Sequence, residues 1–342
     1  MSSSSAASFG ANVKFIDLFA GIGGFHEALA SRGATCVFAS EWDSPAASTY
    51  ARNHQTTPVG DITKVDEASI PAHNFLCAGF PCQAFSISGK RLGFDDARGT
   101  LFFDVARILK AQRPAFALLE NVRNFAVHDG GRTLAVVVTT LSELGYTVSY
   151  KVLNSAHYGS AQKRERIYIL ATRADLGLPA FQWPERLPAP AGPFVKDILL
   201  PSDHPDLATM WLTRPDIQLD AEAIAEANKA VAEQPLRVGI VNRGGQGERI
   251  YHPNGKAITL SAYGGGAGAK TGLYFIDGKV RKLHPRECAR LLGLPESFEI
   301  NKNKNQAYKQ FGNSVVVPVL QAIVDAMDKQ GYFGKLPPES AS

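Results

Sequence analysis

The chain has 342 residues, 45% apolar and 20% charged, which is enough for about two domains and excludes a disordered or fibrous protein. No apolar run is long enough to span a bilayer. The four cysteines, Cys36, Cys77, Cys82 and Cys288, form neither a C-x-x-C pair nor a disulfide framework, so a reduced, cytoplasmic setting is expected. The net charge of +4 is uneven, because Arg243 to Lys309 holds 12 Lys/Arg against 5 Asp/Glu, or +7, leaving −3 for the rest. A basic third suggests a polyanion partner for that third, or a solvated basic face.

In chain order, residues 1–12 read as a disordered tail with neither the basic nor the apolar region of a signal peptide. Val13 to Phe19 reads as a buried strand, Ala20-Gly21-Ile22-Gly23-Gly24 as a turn, and Phe25 to about Ser31 as a helix. Strand, glycine turn and helix form a nucleotide-type cradle, although G-x-G-x-x-G is incomplete and a pyrophosphate is not implied. A second strand, Thr35 to Ser40, ends in Glu41, about 20 positions past the first glycine, where an acidic partner for a ribose belongs. Trp42 follows and suits either an adenine stack or the core. Gly60-Asp61-Ile62 closes a third unit.

The short apolar run Phe75 to Ala78 reads as a strand. It opens into Gly79-Phe80-Pro81-Cys82-Gln83-Ala84-Phe85-Ser86, which begins a polar stretch running to Gly99. Cys77, inside the run, reads as buried and inert. Cys82, at a strand end and locked by Pro81, is placed as an exposed nucleophile; an ordinary thiol has a pKa near ~8.5, and its thiolate fraction is strongly nucleophilic. A helix from Gly99 to Ala111, a strand from Ala115 ending in Glu120-Asn121-Val122, a helix from Arg132 to Leu144 and strands at Thr147 to Val152 and Ile167 to Leu170 follow. This alternation argues for an α/β fold with a mostly parallel, doubly wound, Rossmann-like sheet. Ligands bind beyond the carboxyl ends of such strands, so Phe19, Glu41, Asp61, Cys82 and Glu120 are expected on one rim.

From Phe181 prolines mark a linker, and Asp220 to Glu233 reads as a helix. Glycine then dominates, in Arg243-Gly244-Gly245-Gln246-Gly247-Glu248-Arg249 and in Tyr263-Gly264-Gly265-Gly266. Such loops present polar groups to a groove or are plain turns between strands. Arg281-Lys282-Leu283-His284-Pro285-Arg286-Glu287 enters a helix, and Gln310-Phe311-Gly312-Asn313-Ser314-Val315 leads to a last helix ending near Met327.

Six stretches in order, D-L-F-A-G-x-G-G from Asp17, G-F-P-C-Q from Gly79, E-N-V from Glu120, Q-K-R-E-R from Gln162, R-K-L-x-P-R-E from Arg281 and Q-F-G-N-S-V from Gln310, resemble the DNA (cytosine-5)-methyltransferase family from about Phe15 to Met327. The stretch from Arg243 to Val315 is also similar to a member whose target is GCGC. It departs at Ala267-Gly268-Ala269, where bulkier residues are expected.

The resemblance implies a catalytic domain at 13–193, completed by 310–336, and a smaller, glycine-rich target-recognition domain with its hinge at 194–309. It implies S-adenosyl-L-methionine as cofactor, held by Phe19, Ala20, Gly21, Gly23, Gly24, Glu41, Trp42, Asp61, Ile62, Pro81, Leu101, Asn313 and Ser314. Cys82 is expected to add to C6 of a flipped cytosine, Glu120 to hold N3, and Arg164 and Arg166 to bind the base oxygen. Ser88, Gln246, Arg249 and Tyr263 are expected to touch double-stranded DNA, with Gln246 filling the space of the flipped base. No metal is called for. The first cytosine of GCGC is the implied target, in a restriction-modification or orphan bacterial methylase. Whether an endonuclease for the same site accompanies it stays open, and a monomer suffices. Three other readings remain. A nicotinamide dehydrogenase leaves Pro81-Cys82-Gln83 unexplained, an RNA cytosine-5 methyltransferase leaves the recognition loops unexplained, and a non-catalytic DNA-binding relative leaves Cys82 and Glu120 unexplained.

Overall fold

The computed structural model describes residues 12–81 and 101–336. They fall into two compact units. The first comprises the chain up to Leu153, Glu165–Pro184 and the chain from Leu320; the second comprises Asn154–Arg164 and Glu185–Val319.

The first unit is a six-stranded sheet with helices. Its strands are β1 (Lys14–Leu18), β2 (Thr35–Ser40), β3 (Phe75–Ala78), β4 (Phe116–Val122), β5 (Tyr146–Asn154, its last residue counted with the second unit) and β6 (Glu165–Arg173). Their order is β2-β1-β3-β4-β6-β5. The pairs β1–β2, β1–β3 and β3–β4 are parallel, and β4–β6 is antiparallel. The helices are α1 (Gly24–Ala30), α2 (Ser44–His54), α3 (Leu101–Gln112) and α4 (Arg132–Glu143).

Both faces of the central strands are covered, which is why β3 and most of β4 read as unbroken apolar runs rather than alternating ones. Phe102, Val105, Ile108 and Leu109 of α3 and Val137 and Leu141 of α4 pack into the same core as Ile16, Leu18, Leu76 and Leu119. Each such side chain contributes about 1.5–3 kcal/mol by leaving water. After β1 the chain goes outward to β2 and then returns to the opposite side of β1 for β3. The switch point therefore lies between the carboxyl ends of β1 and β3, where an open α/β sheet offers its crevice.

The second unit holds β7 (Ile217–Leu219), β8 (Leu236–Val241), β9 (Arg249–His252), β10 (Leu273–Ile276) and β11 (Lys279–Arg281), in the order β11-β10-β9-β8-β7. Its helices are α5 (Val195–Ile198), α6 (Ala221–Ala227), α7 (Pro285–Leu291) and α8 (Lys304–Asn313), and α9 (Val317–Lys329) begins in it and ends in the first unit. Arg281 and Glu287, both fully buried, form a two-bonded pair of 2.7 and 2.8 Å, and Glu287 also accepts the Leu200 and His284 N–H groups.

Two expectations change. The helix expected to run to Glu233 stops at Ala227, because Asn254 Nδ2 caps the Ala227 carbonyl at 2.9 Å and Ala232 donates to the Asn254 carbonyl at 3.0 Å. Glu120 lies within β4 rather than past its end, because β6 carries the ladder on to the Val122–Arg166 pair. Among the described residues, no helix is long and apolar enough to cross a membrane.

Candidate active site

The turn after β1 sits at the switch point. Phe19, Gly21 and Gly23 all have positive φ, at 54°, 57° and 89°. At Gly21 an added Cβ would meet nothing within 4 Å, so the backbone faces open space, whereas at Gly23 it would lie 2.1 Å from His54 Nε2. One glycine leaves room for a ligand and the other accepts a side chain from α2. Ala20 donates to the Ser40 carbonyl at 2.9 Å, which ties the turn to the end of β2, and Gly24 opens α1.

Glu41 joins the two strand ends. Its Oε2 accepts the Gly21 N–H at 2.8 Å and its Oε1 the Asp43 N–H at 2.7 Å. A carboxylate has about four lone-pair sites, so two bonds do not exhaust it. Burial raises its pKa despite these bonds. The next residue, Trp42, is 78% exposed and is therefore no core residue. Asp61 caps a single 3-10 turn, Ile62–Lys64, with its Oδ1 accepting from Thr63 N at 3.1 Å and Thr63 Oγ1 at 2.8 Å. Those bonds hold its carboxyl below the usual range. Ile62 is buried in the core beside Phe102; Pro81 is exposed, and Leu101 begins α3.

Beneath the turn lies a cluster that the sequence did not single out. Asp17 is fully buried, with no hydrogen-bond partner on either carboxylate oxygen, and burial together with Glu41 raises its pKa well above the ordinary value. His26 Nδ1 is 2.7 Å from the Tyr50 hydroxyl, and the His26 and His54 rings stack with centroids 4.1 Å apart. His54 Nε2 donates to the Ile22 carbonyl at 3.2 Å, bracing the glycine turn from below. Burial, then the neighbouring His54, lowers the His26 pKa to about 3, and burial lowers that of His54.

Cys82 and Ser88 lie outside the described residues. The turn leading to Cys82 is anchored: Asn121 Nδ2 donates to the Phe80 carbonyl at 2.9 Å, and the Phe80 ring packs against Phe102 and Phe125. Asn121 was visible in the sequence only as the middle letter of E-N-V. On the neighbouring strands Glu120 Oε1 is 3.1 Å from Arg166 Nε. Cys77, inside β3, is buried, and burial pushes its thiol well up.

Arg164 does not share that pair. It belongs to the second unit and is buried, with guanidinium bonds to the carbonyls of Leu260 at 3.0 Å, Gly312 at 2.9 Å and Ser314 at 2.8 Å. It brackets Asn313, which is exposed at the end of α8, while Ser314 is buried. Gly312 is a glycine because a Cβ there would lie 2.0 Å from Ala262 N. Asn313 and Ser314 therefore belong to the second unit, apart in the chain's organisation from the other expected cofactor residues.

In the second unit the two glycine loops pack on each other. Gly268 donates to the Gly247 carbonyl at 2.7 Å, and a Cβ on Gly247 would lie 2.3 Å from the Gly265 carbonyl. At Gly268 a Cβ would meet Leu273 at 2.8 Å and the Gly247 carbonyl at 3.0 Å, while Ala267 joins the core of the unit. The small residues at 267–269 thus fit a crossing of two backbones. Glu248 accepts from Asn242 Nδ2 at 2.8 Å and Gly245 N at 2.9 Å, fixing the first loop. Gln246 and Arg249 are exposed and Tyr263 is 74% exposed; Arg249 Nε donates to the Gly244 carbonyl at 3.3 Å. Among the described residues, no group of three or more His, Cys, Asp and Glu is arranged to hold a metal.

A family model described as C-5 cytosine-specific DNA methylase matches residues 13–329. The type II methyltransferase M.HhaI of Haemophilus parahaemolyticus is 54% identical over 311 residues, 91% of this chain and 93% of that one. The type II methyltransferase M.NgoBI of Neisseria gonorrhoeae is 41% identical over 314 residues, covering 90% and 91%. The crystal structure of the S. pombe Dnmt2 methyltransferase superposes with a TM-score of 0.66 at 19% identity, covering 93% of this chain and 99% of that one. A putative DNA modification methyltransferase encoded within an E. coli prophage gives 0.67 at 20% identity, covering 93% and 99%. At those identities the two structures bear on the fold alone.

Proposed function

The chain belongs to the C-5 cytosine-specific DNA methylase family, and from that membership we propose that it methylates C5 of the first cytosine in GCGC, using S-adenosyl-L-methionine. The observation that carries the chemistry is the Glu120–Arg166 pair, Glu120 on β4, the neighbour of β3, and Arg166 on β6 beyond it. The target sequence rests on the likeness of the Arg243–Val315 stretch to a GCGC-directed member and on the exposed Gln246, Arg249 and Tyr263.

The cofactor assignment is supported by the fit of the residues. Open space at Gly21 suits an adenosyl group, with the exposed Trp42 indole as stacking surface, Glu41 as ribose partner and Asp61 as adenine-amino partner. Phe19, Ala20, Gly23, Gly24, Ile62, Pro81 and Leu101 would wall the site, and Asn313 and Ser314 are the further cofactor residues that the family likeness implies. When bound, the cofactor supplies an electrophilic methyl group on a sulfonium.

C5 of cytosine is a poor nucleophile, so the chain's own residues must activate it. The Cys82 thiolate adds to C6, and electron density moves to C5. Glu120 donates to N3 as the negative charge develops there, and Arg166 orients Glu120 and the base oxygen. C5 takes the methyl group, loses its proton to a base, and the electron pair of the broken C5–H bond restores the double bond as Cys82 leaves. Neither C6 nor the thiolate is reachable within a stacked duplex, so the base is flipped out at a cost of a few kcal/mol. Gln246 fills the vacated space, and Ser88 and Arg249 touch the DNA. Residues 13–193 with 310–336 act as the catalytic domain and 194–309 as the recognition domain. The setting proposed is a cytoplasmic, monomeric modification methylase, alone or beside an endonuclease for the same site.

Transfer of label from methyl-labelled cofactor to duplex DNA, followed by bisulfite sequencing of a treated plasmid, tests the whole reading. Modification confined to the first cytosine of GCGC is expected. Label in RNA but not in DNA, or in neither, would sink it. Cys82→Ala should abolish transfer while DNA binding persists, and duplex carrying 5-fluorocytosine at the target should trap the unmodified enzyme covalently, since fluorine cannot leave as the proton does.

A further inference from the structure

The side chain of Arg107, on the second turn of α3, makes four bonds, three to a segment 40 to 45 residues away and one to its own helix. Its NH2 donates to the Ile62 carbonyl at 2.6 Å, its NH1 to the Val65 carbonyl at 2.9 Å and to Glu67 Oε2 at 2.6 Å, and its Nε to Asp104 Oδ1 at 2.9 Å. The side chain is only 23% exposed, and two carboxylates balance its charge. A half-buried, fully engaged guanidinium of this kind is a device for holding backbone, because its rigid fork offers five donors in fixed directions.

What it holds is the 3-10 turn Ile62–Lys64. A turn of three residues has little hydrogen bonding of its own; here the Val65 N–H returns to the Ile62 carbonyl at 3.1 Å. The peptide group is planar, so a bond to the Ile62 carbonyl also fixes the direction of the Thr63 N–H on the other side of that plane. The Thr63 N–H is the donor that pins Asp61 Oδ1 at 3.1 Å. From Arg107 the path is therefore guanidinium, Ile62 carbonyl, Thr63 N–H, Asp61 carboxylate, each step a single bond or a rigid plane. The Ile62 N–H, first in the turn, has no acceptor within it. The Ile62 carbonyl thus accepts from Arg107 and from Val65 at once, and the Asp61 carboxylate is held through the next peptide N–H.

We propose that Arg107 is a positioning residue for recognition of the cofactor's adenosyl group: by holding the Ile62–Thr63 peptide it sets the direction of the Asp61 carboxylate. The inference rests on the reading of Asp61 and Ile62 as cofactor residues. It also explains why one helix carries both Arg107 and Leu101. Leu101 and Asp61–Ile62 are both expected at the cofactor, and the bonds from α3 to the turn tie the elements that carry them. Gln112 provides an internal comparison, since it grips the same segment further on, donating to the Glu67 carbonyl at 2.6 Å, but has no path to Asp61.

The test is calorimetric titration with S-adenosylhomocysteine of the unmodified enzyme, Arg107→Ala, Arg107→Lys, Gln112→Ala, Asp61→Ala and the Arg107→Ala/Asp61→Ala double variant, with thermal melting as a check on folding. The expected result is cofactor affinity at least tenfold weaker in Arg107→Ala and weaker in Arg107→Lys, which keeps the charge but not the fork. Gln112→Ala should stay within twofold, and the double variant should be no weaker than the worse single variant. In Arg107→Ala the KM for cofactor should rise while kcat at saturating cofactor and the KM for DNA stay within about threefold. Should Arg107→Ala fail to fold, Arg107→Lys decides alone. Affinity within twofold of the unmodified enzyme in the folded variant, additive losses in the double variant, or equal losses in Gln112→Ala would overturn the inference. Failure of the unmodified enzyme to bind S-adenosylhomocysteine would overturn instead the cofactor reading beneath it.

Discussion

Arg166 Nε stands 3.1 Å from Glu120 Oε1 across the antiparallel β4–β6 ladder, with the two side chains only 15% and 11% exposed. The residues are offset by two along the ladder, Glu120 facing Tyr168 and Arg166 facing Val122, so the contact is a diagonal one that only long side chains make. A pair so nearly buried keeps both side chains aimed. Arg166→Ala leaves the Glu120 carboxylate without that partner in a site that excludes most water, and methyl transfer in a single turnover should fall by about 10²–10³, the usual cost of one lost donor at a developing charge. Glu120→Gln should fall comparably while its melting temperature stays within a few degrees. Transfer within threefold of the unmodified enzyme in either variant would remove the pair from the chemistry.

Trp42 carries its indole in the open, so its removal has no packing consequence. Trp42→Ala should leave thermal stability unchanged and weaken S-adenosyl-L-methionine by about 1–3 kcal/mol, the usual worth of a base–aromatic stack. Glu41→Ala should weaken it too, and more broadly, because the Gly21 and Asp43 N–H groups lose their acceptor at the same time. DNA binding without cofactor should not change in either. Isothermal titration with cofactor and with duplex separates the two effects, and unchanged cofactor affinity in both variants would count against the site.

The crossing of the two glycine loops predicts a defect in reading rather than in chemistry. Gly247→Ala puts a Cβ 2.3 Å from the Gly265 carbonyl at a φ of 82°, so the loops must separate. The KM for GCGC duplex should rise about tenfold or more, and the ratio of rates on GCGC and on duplexes altered at one outer base pair should shrink, with cofactor affinity unaltered. Arg249→Ala should lose about 1–3 kcal/mol of discrimination at a single guanine. Unchanged selectivity in both would place specificity elsewhere in the chain.

His26 gives a pH dependence with a definite sign. Its folded pKa is lowered to about 3 from an ordinary 6.5, so below pH ~6.5 the unfolded chain takes a proton that the folded chain refuses. Stability is therefore full above that pH and lost as the pH falls, by about 2 kcal/mol near pH 5 for a group that stays neutral when folded. His54 acts in the same direction. Asp17 acts in the opposite one: its raised pKa means that the folded state holds a proton more readily than the unfolded, so its contribution is lost as the pH rises. Urea unfolding at pH 7.5 and pH 5 should show a smaller fall in midpoint for His26→Gln than for the unmodified chain. An equal or larger fall would contradict the buried, neutral imidazole.

Much of the site was legible because it is local. Strand, glycines and helix follow one another within Lys14–Ala30, and Glu41 follows the next strand at once, so pattern and spacing suffice. Arg164 and Arg166 show where that ends. They are two apart, a spacing that puts side chains on one face of a strand, but the chain passes from one unit to the other between Arg164 and Glu165. One arginine therefore meets carbonyls around Asn313 and the other meets Glu120. The stop of α6 at Ala227 depended on Asn254, and the small residues at 267–269 depended on Gly247; in both cases a distant backbone decided. Arg107 left no pattern at all, because two of its four partners are carbonyls, which every residue has, and a third, Glu67, is forty residues away.

The bidentate bonds of 2.7 and 2.8 Å between Arg32 and Asp325 span 293 positions. Near them Tyr332 donates to the Pro179 carbonyl at 2.7 Å, and Phe333 packs on Phe75 and Phe116. During synthesis the sheet that begins at Lys14 must therefore wait for segments more than three hundred residues later before its outer face is covered. The second unit lies wholly earlier in the chain than Leu320, so all of its residues are made before Asp325, Tyr332 and Phe333, which the first unit still needs.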